Sequence, residues 1–452
     1  MSLITTDKYS VIVGLGLSGL SCARYLTRLG QRFVVMDTRN EPPLLNKLKE
    51  SCPGVKVIAG ELDVSILEGA SSVIVGPGLD TQQAPFKALI DQGVDVVGDI
   101  ELFARAVQAP VIAITGSNGK STVTTLVGEM AEAAGLNVKV GGNIGVPALD
   151  LLTPTPVDLY VLELSSFQLE TTYSLKPKAA TVLNLQADHM DRYGNMVAYH
   201  KAKQRIYRHC GCSVWNKKDM LTQPLLGSDS SSVVFTTDEP DLAEFGLKQV
   251  DDQLWLMKGQ KPLVSEQQLK VKGRHNLANV LAAMALGDAA GIPMEAMIEA
   301  SINFTGLAHR CEWLKEINGR TFINDSKGTN VGATKAAIEG LASDSKNIVL
   351  IAGGVGKGAD FGELGAALAA HCKAMVVFGE DQQEIADAVP ESVNVQRANG
   401  LEHALQQAVD ASEKGDVVLF SPACASFDMF RNFEHRGQVF SGLVEQLGEI
   451  ND

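Results

Sequence analysis

The sequence has few of the features that mark membrane, secreted or nucleic-acid-binding proteins. Its 39 Lys and Arg residues are outnumbered by 53 Asp and Glu residues, which gives a net charge of −14. Non-specific binding to nucleic acid or to a membrane needs clustered positive charge, so neither partner is expected. No apolar run reaches the roughly 18 residues that span a bilayer. Residues 1–10 are polar and lack the basic and then apolar order of a signal peptide.

Cysteine is also scarce. The seven cysteines are an odd and scattered set. Only Cys210 and Cys212 lie close together, and no second pair follows at the spacing of a zinc site. Reduced thiols are therefore expected, and the chain is predicted to be cytoplasmic.

The length of 452 residues predicts about three domains. Short β-rich runs alternate with helical segments, which indicates parallel sheets with crossover helices. Changes in the pattern of apolar runs and helical segments along the sequence predict domains at residues 1–98, 99–306 and 307–452. We expect an α/β fold with Rossmann-like first and third domains. The central domain is predicted to be a P-loop-type ATPase, with a mostly parallel sheet and a small antiparallel addition at about 213–272.

The first glycine-rich loop, Gly14–Gly19, fits G-x-G-x-x-G between a strand and a helix. Its glycines permit backbone N–H groups to approach a phosphate at the helix N-terminus. Asp37 lies at the end of the next strand, where an acid binds a ribose. Taken alone, the pattern indicates an NAD-dependent dehydrogenase, and a tight turn without a ligand is the alternative.

The second glycine-rich loop gives the sharper signal. Residues 115–122 read TGSNGKST, after the apolar run Val111–Ile114 and before a helix. Backbone N–H groups there can hold phosphates, while Lys120 faces the β and γ oxygens and a hydroxyl of Ser121 or Thr122 reaches Mg²⁺. Ile114 occupies the position of the usual first glycine.

Polar residues at later strand ends suggest metal and nucleotide contacts. Glu163 ends an apolar run, and Asp188 and His189 follow another, so a Mg²⁺ site is expected there. Lys203 lies with Lys201 in the helical stretch 197–207, and the pattern alone favours an exposed basic helix face. Asn276 and Asn279 share a helix face that suits a purine or ribose, with helix capping as the alternative.

The third domain carries three polar loops, each after an apolar run. They are 324–330 (NDSKGTN), 353–358 (GGVGKG) and 421–427 (SPACASF). The glycine-rich loop and Lys357 can bind a carboxylate. Three such loops predict a site at the carboxyl edge of a sheet.

Together these motifs resemble the Mur ligase family over essentially the whole chain. The resemblance rests on Gly116–Ser121, Glu163–Ser166, Asp188–His189 and Gly273–Asn276, and the loop 324–330 is similar to the members that add D-glutamate. It implies a first domain for a UDP-sugar, a central ATPase, and a third domain for the amino acid. Two departures are Gly76 and Gly328, where Ser and Ala are commoner.

The resemblance also implies roles for individual residues. The UDP-substrate residues would be Gly14, Leu17, Ser18, Asp37, Thr38, Arg39, Gly78 and Asn143. The ATP residues would be Gly116, Ser117, Asn118, Gly119, Lys120, Ser121, Thr122, Asn276, Asn279, Arg310 and Asp325. The D-glutamate residues would be Lys327, Thr329, Lys357, Ser421 and Phe427. The ligands of two Mg²⁺ ions would include Ser121, Glu163, His189 and Lys203, the last as a carbamate. Lys120, His189 and Lys203 would be catalytic.

The implied reaction adds D-glutamate to UDP-N-acetylmuramoyl-L-alanine in peptidoglycan precursor synthesis, with ATP forming an acyl phosphate. The enzyme is expected to be monomeric. Another amino-acid-adding ligase of the family is one alternative, which residues 325–330 would discriminate. An NAD-dependent dehydrogenase would explain Gly14–Gly19 and Asp37 but leaves Lys120 without a role. A non-catalytic nucleotide-binding module is the third alternative.

Overall fold

The chain is built on three separate sheets. The computed structural model describes residues 9–225, 231–271, 273–343 and 345–449. The predicted α/β class with three units is confirmed. Most of the segment predicted to lack a signal sequence, residues 1–8, lies outside the described residues. Among the described helices, none combines the length and apolarity that crossing a bilayer requires.

The first unit is a five-stranded parallel sheet. Its strands are β1 Ser10–Val13, β2 Phe33–Asp37, β3 Lys56–Ala59, β4 Ser72–Val75 and β5 Asp95–Val97. Its helices are α1 Leu17–Arg28, α2 Leu45–Ser51, α3 Val64–Glu68, α4 Phe86–Asp91 and α5 Asp99–Ala106. The strand order is β3-β2-β1-β4-β5, so the topology switches between β1 and β4. A ligand crevice is expected outside the carboxyl ends of these two strands.

The central unit is a nine-stranded sheet. Its strands are β6 Val111–Thr115, β7 Val138–Gly142, β8 Leu159–Glu163, β9 Ala179–Val182, β10 Cys212–Asn216, β11 Ser231–Phe235, β12 Phe245–Val250, β13 Gln253–Lys258 and β14 Lys261–Ser265. Its helices are α6 Lys120–Ala133, α7 Ser166–Glu170, α8 Met190–Tyr193, α9 Met196–Gln204, α10 Arg274–Ala290 and α11 Met294–Asn303. The order is β14-β13-β12-β11-β10-β9-β6-β8-β7.

The antiparallel addition is smaller than predicted. Only β12, β13 and β14 pair antiparallel, whereas β10 and β11 pair parallel to their neighbours. The prediction assigned all of residues 213–272 to the antiparallel addition, because short strand-like runs begin there. In the structure, the apolar run of β10 extends the parallel part of the sheet. The hairpin predicted around Gly259 joins β13 to β14, and Gly259 has a φ of +54°.

Burial on both faces explains why β6 forms at the centre of this sheet. Every residue of Val111–Thr115 is buried, as expected for a parallel strand covered by helices on both sides. One face packs under α6, α10 and α11. The other face shares a core with the first unit, where Phe103 of α5 meets Tyr160 of β8 edge to face at 5.2 Å.

The third unit is a six-stranded sheet. Its strands are β15 Glu312–Ile317, β16 Arg320–Asn324, β17 Ile348–Gly353, β18 Cys372–Phe378, β19 Asn394–Arg397 and β20 Val417–Phe420. Its helices are α12 Val331–Leu341, α13 Gly365–His371, α14 Gln382–Asp387, α15 Leu401–Asp410 and α16 Phe433–Glu449. The order is β15-β16-β20-β17-β18-β19, and only β15 runs antiparallel.

This order brings the three polar loops of the third unit together. The strands that precede them, β16, β20 and β17, are adjacent and parallel. Arg436 of α16 is buried beneath the loops and donates to the carbonyl oxygens of Ser326, Gly353 and Cys424. One guanidinium thus joins all three loops.

Candidate active site

The loop between β6 and α6 has the backbone of a phosphate-binding loop. Gly116 and Gly119 have φ angles of +155° and +79°. A Cβ on Gly119 would lie 2.4 Å from Asn279 Oδ1, so the loop also requires glycine for space. The loop ends at the N-terminus of a 14-residue helix, where free N–H groups and the helix dipole favour anionic ligands.

Two lysines meet beside this loop. Lys120 Nζ donates to the carbonyl oxygens of Gly116 and Ser117 at 2.9 Å each. Lys203 Nζ donates to the same Gly116 oxygen at 2.8 Å. Burial lowers the pKa of both lysines, and the charge of Lys120 lowers that of Lys203 further. Lys203 is 2% exposed, so the exposed helix face favoured by the sequence pattern is wrong for Lys203, whereas Lys201 is exposed.

Glu163, at the end of β8, lies opposite the start of α6. Its carboxylate accepts hydrogen bonds from Ser121 Oγ at 2.6 Å and Asn143 Nδ2 at 2.8 Å. Arg310 of the third unit donates to the same Ser121 oxygen at 2.5 Å. Burial raises the pKa of Glu163, but the charge of Lys120 and the two hydrogen bonds outweigh it and lower the pKa overall. The carboxylate is therefore held ionised.

His189 completes this side of the site. It adopts a left-handed backbone with a φ of +58°, and its ring packs edge-on against Phe167 at 4.8 Å. Burial lowers its pKa, although nearby Asp188 acts in the opposite direction. The imidazole is thus kept neutral and able to act as a ligand.

These donors fit Mg²⁺ only in part as they stand. Within the part of the chain that the structure describes, no group of three or more His, Cys, Asp and Glu residues could hold a metal ion. Ser121, Glu163 and His189 line one cavity and offer suitable donors. The ammonium of Lys203 lines the same cavity and would repel a cation, whereas a carbamate there would attract one.

The ATP residues named from the sequence surround a cavity of about 250 Å³ between the central and third units. Its lining includes Asn118, Gly119, Thr122, Asn276, Asn279, Arg310 and Asp325. Burial raises the pKa of Asp325 to about 6, against hydrogen bonds from Ser421 Oγ and the Cys311 N–H. Gly116 lies in the phosphate loop, and Ser117, Lys120 and Ser121 line the adjoining cavity.

The adjoining cavity, of about 500 Å³, is lined by all three units, and we call it the central cavity. Of the predicted D-glutamate residues it contains Lys327, Thr329, Lys357 and Phe427. Ser421 does not line it. Ser421 is fully buried and donates to Asp325 Oδ2 at 2.6 Å.

Sequence reasoning missed several residues of the central cavity. Ser426, Phe433 and Asn330 line it, and Lys327 Nζ lies 3.8 Å from the centroid of the Phe433 ring. Asn330 donates to Asn118 Oδ1 of the phosphate loop at 3.1 Å. Ser426 and Asn330 belong to loops that the sequence did single out, so their hydroxyl and amide groups were available signals. Phe433 starts α16 and carries no such signal.

A third cavity, of about 410 Å³, lies at the topological switch between β1 and β4, and we call it the first-unit cavity. It is lined by seven of the predicted UDP-substrate residues, Gly14, Leu17, Ser18, Asp37, Thr38, Arg39 and Gly78. Arg39 and the Leu15 N–H hold the pKa of Asp37 at about 2 although the carboxylate is buried. The eighth residue, Asn143, lines the central cavity instead.

Three family profiles cover most of the chain. Residues 8–98 match the MurD-like N-terminal domain of Mur ligases, residues 114–287 the Mur ligase middle domain, and residues 309–424 the glutamate ligase domain of Mur ligases. The chain belongs to the Mur ligase family. The dehydrogenase and the non-catalytic module are thereby excluded, and the predicted ATP-dependent, amide-bond-forming ligase is confirmed. Mur ligases use ATP and Mg²⁺, whereas the number of metal ions here stays a prediction.

Full-length relatives support this assignment. The chain is 50% identical to a UDP-N-acetylmuramoylalanine–D-glutamate ligase of Pseudomonas fluorescens and 52% identical to one of Pseudomonas savastanoi. Each alignment covers 99% of this Mur ligase and 100% of the relative. A pseudomurein peptide ligase of Methanothermus fervidus superposes with a TM-score of 0.63 at 17% identity, over 98% of this chain and 100% of that one, and shows the shared fold.

Proposed function

We propose that this Mur ligase joins D-glutamate to UDP-N-acetylmuramoyl-L-alanine with conversion of ATP to ADP and phosphate, in peptidoglycan precursor synthesis. The observation that carries the proposal is the central cavity. It is lined by Gly78 of the first unit, Lys120 of the phosphate loop and Lys357 of the third unit. Full-length relatives about 50% identical act, by name, on UDP-N-acetylmuramoylalanine and D-glutamate.

The first step activates a carboxylate, which is a poor electrophile. An oxygen of the alanyl carboxylate attacks the γ-phosphorus of ATP, the bond to the β-phosphate oxygen breaks, and an acyl phosphate and ADP form. Lys120, held at the loop carbonyls in the structure, can exchange them for phosphate oxygens and offset the developing charge. Mg²⁺ at Ser121, Glu163 and His189 would supply further charge neutralisation.

The second step forms the amide. The D-glutamate nitrogen, after losing a proton, attacks the acyl carbon, and the C–O bond to phosphate breaks. The two carboxylates of D-glutamate need cationic partners, and Lys327 and Lys357 both line the central cavity with the hydroxyl of Thr329. Ser426 lines the same cavity and is the better placed of the two loop serines to contact the amino acid.

Lys203, beside the phosphate loop, lies in surroundings that favour a covalent modification of its amine. Lys203 is proposed to react with CO₂, so that a new N–C bond forms and a proton is released. The reaction needs a neutral amine, and burial with the neighbouring charge of Lys120 lowers the pKa of Lys203. The carbamate would present anionic oxygens to the central cavity, which Lys203 lines. The cytoplasmic location, the monomeric state and the domain boundaries stay predictions.

A phosphate-release assay tests the function. Wild-type enzyme with ATP, Mg²⁺ and UDP-N-acetylmuramoyl-L-alanine should release phosphate rapidly only when D-glutamate is added. L-Glutamate, D-alanine and a diamino acid serve as matched alternatives to D-glutamate. Activity with one of these instead would identify another amino-acid-adding ligase of the family and contradict the proposal.

A further inference from the structure

Arg192 links the first and central units and has no role in the reaction steps proposed above. It lies on α8, three residues after His189, and its side chain is 15% exposed. Its Nη2 donates to the carbonyl oxygen of Leu79 at 3.1 Å and to Glu170 Oε2 at 2.8 Å. Asp80 adds a carboxylate oxygen at 3.8 Å. One guanidinium therefore ties a loop of the first unit to the end of α7.

The loop that Arg192 holds is the turn where two cavities meet. A hydrogen bond of 3.0 Å from the Leu79 N–H to the Gly76 carbonyl closes this turn. Pro77 and Gly78 line both the first-unit cavity and the central cavity. A substrate with its nucleotide in the first-unit cavity and its carboxylate in the central cavity must pass along this turn.

The other side of the guanidinium supports His189. Arg192 Cζ lies 5.1 Å from the centroid of the Phe167 ring, and the His189 ring packs edge-on against the same phenyl group at 4.8 Å. Phe167 lines the central cavity together with His189. The turn and the imidazole are therefore fixed against each other through one side chain, by charge-assisted hydrogen bonds on one side and a cation–π contact on the other.

We propose that Arg192 is a positioning residue that sets the register between the turn Gly76–Leu79 and His189, and so places the acceptor carboxylate at the phosphate loop. The inference rests on the proposed function. Misplacing a reacting group by about 1 Å can reduce the rate on the order of 10²-fold. Lysine cannot replace arginine fully, because an ammonium lacks the planar face for Phe167 and the geometry for two oxygen partners.

Arg192→Met keeps the length of the side chain and removes the cation. We expect kcat for ligation to fall on the order of 10²-fold and the KM for UDP-N-acetylmuramoyl-L-alanine to rise, with the KM for ATP nearly unchanged. Binding of UDP alone, measured by calorimetry, should also change little because most of the first-unit cavity is untouched. Arg192→Lys should fall between the wild type and Arg192→Met.

Arg24→Met is the matched control. Arg24 of α1 forms an ion pair with Asp150 of the central unit, and so bridges the same two units away from the turn. This variant should keep wild-type kinetics. Glu170→Gln weakens the anchor of Arg192 and should lower kcat in the same direction, without adding fully to Arg192→Met.

Several outcomes would overturn the role of Arg192. Equal losses in Arg24→Met and Arg192→Met would show that the arginine only holds the two units together. An unchanged kcat in Arg192→Met would remove the role altogether, and if that variant does not fold, unchanged kinetics in Arg192→Lys and Glu170→Gln would do the same. An inactive wild-type enzyme would contradict the proposed function instead, so the two failures are distinguishable.

Discussion

Ser421 Oγ donates a hydrogen bond of 2.6 Å to Asp325 Oδ2, joining the end of β20 to the end of β16 beneath the ATP cavity. Ser421 is fully buried, and it also lies 3.0 Å from Thr334 Oγ1 of α12. Ser421 thus holds the carboxylate of Asp325, which lines the ATP cavity. Ser426, five residues later in the same loop, lines the central cavity.

The two serines should therefore have separable effects on kinetics. Ser421→Ala leaves the buried Asp325 carboxylate with one donor fewer, at a cost of about 1–3 kcal/mol. We expect the KM for ATP to rise and that for D-glutamate to change little. Ser426→Ala should show the reverse pattern. Steady-state kinetics with each substrate varied in turn would check this, and a larger D-glutamate effect in Ser421→Ala would contradict the assignment.

Gly119 and Gly135 offer a matched pair for testing the phosphate loop. Their φ angles are +79° and +78°, so alanine is strained at both, by roughly 1–2 kcal/mol. A Cβ at Gly135 meets nothing within 4 Å, whereas one at Gly119 would displace Asn279. Both variants should lose similar stability in thermal unfolding, but only Gly119→Ala should raise the KM for ATP. Equal ATP affinity in the two variants would refute a role for this contact.

Much of the fold was predictable because the strands are continuous apolar runs between glycine-rich turns. The apolar run Val111–Ile114 before the second glycine-rich loop forms β6, Val111–Thr115. The edge strand β7, Val138–Gly142, was not predicted, because its sequence VKVGG is short and ends in two glycines. Continuous apolar runs mark strands that are buried on both faces, whereas β7 is only partly buried.

The site was less predictable where a side chain's direction depends on distant packing. Lys201 and Lys203 lie two residues apart on one helix, and the sequence does not say which of them faces the core. Ala423 has a φ of +60°, which turns the chain between Ser421 and Ser426. Arg192 reaches a carbonyl 113 residues away, and no local pattern reports such a contact.

The ammonium of Lys327 predicts an alkaline limit on D-glutamate binding. Burial, followed by the charges of Arg310 and Lys120, lowers the pKa of Lys327 to about 8. The side chain is charged below this pH and loses its proton above it. With this pKa the charged fraction falls from about one half at pH 8 to about one eleventh at pH 9, so the KM for D-glutamate should rise about fivefold, while the KM for ATP changes less. Lys327→Arg stays charged and should lose this pH dependence, and an unchanged alkaline rise in that variant would contradict the role.

Lys120 should be needed for ATP turnover but not for binding the nucleotide-sugar. Lys120 Nζ donates to the carbonyl oxygens of Gly116 and Ser117 in the phosphate loop, and the first-unit cavity lies on a different sheet. Lys120→Ala should lower kcat by on the order of 10²–10³. Lys120→Arg should fail as well, because a planar guanidinium does not replace a compact ammonium. Calorimetry with the UDP-substrate should give near wild-type affinity for both, and equal loss of both ligands would refute the separation.

Lys203→Ala tests the proposed carbamate. Lys203 is 2% exposed and lies next to Lys120, and its burial together with the charge of Lys120 lowers its pKa and favours the neutral amine. The variant should be nearly inactive, and a small carboxylic acid that fits the vacated space should restore part of the activity. Wild-type activity should also fall when CO₂ is rigorously excluded.

The matched control is Lys201→Ala, because Lys201 is exposed on the same helix and should be dispensable with or without added acid. If Lys203→Ala is fully active without any acid, the carbamate has no role, and the buried lysine serves only to hold the Gly116 carbonyl.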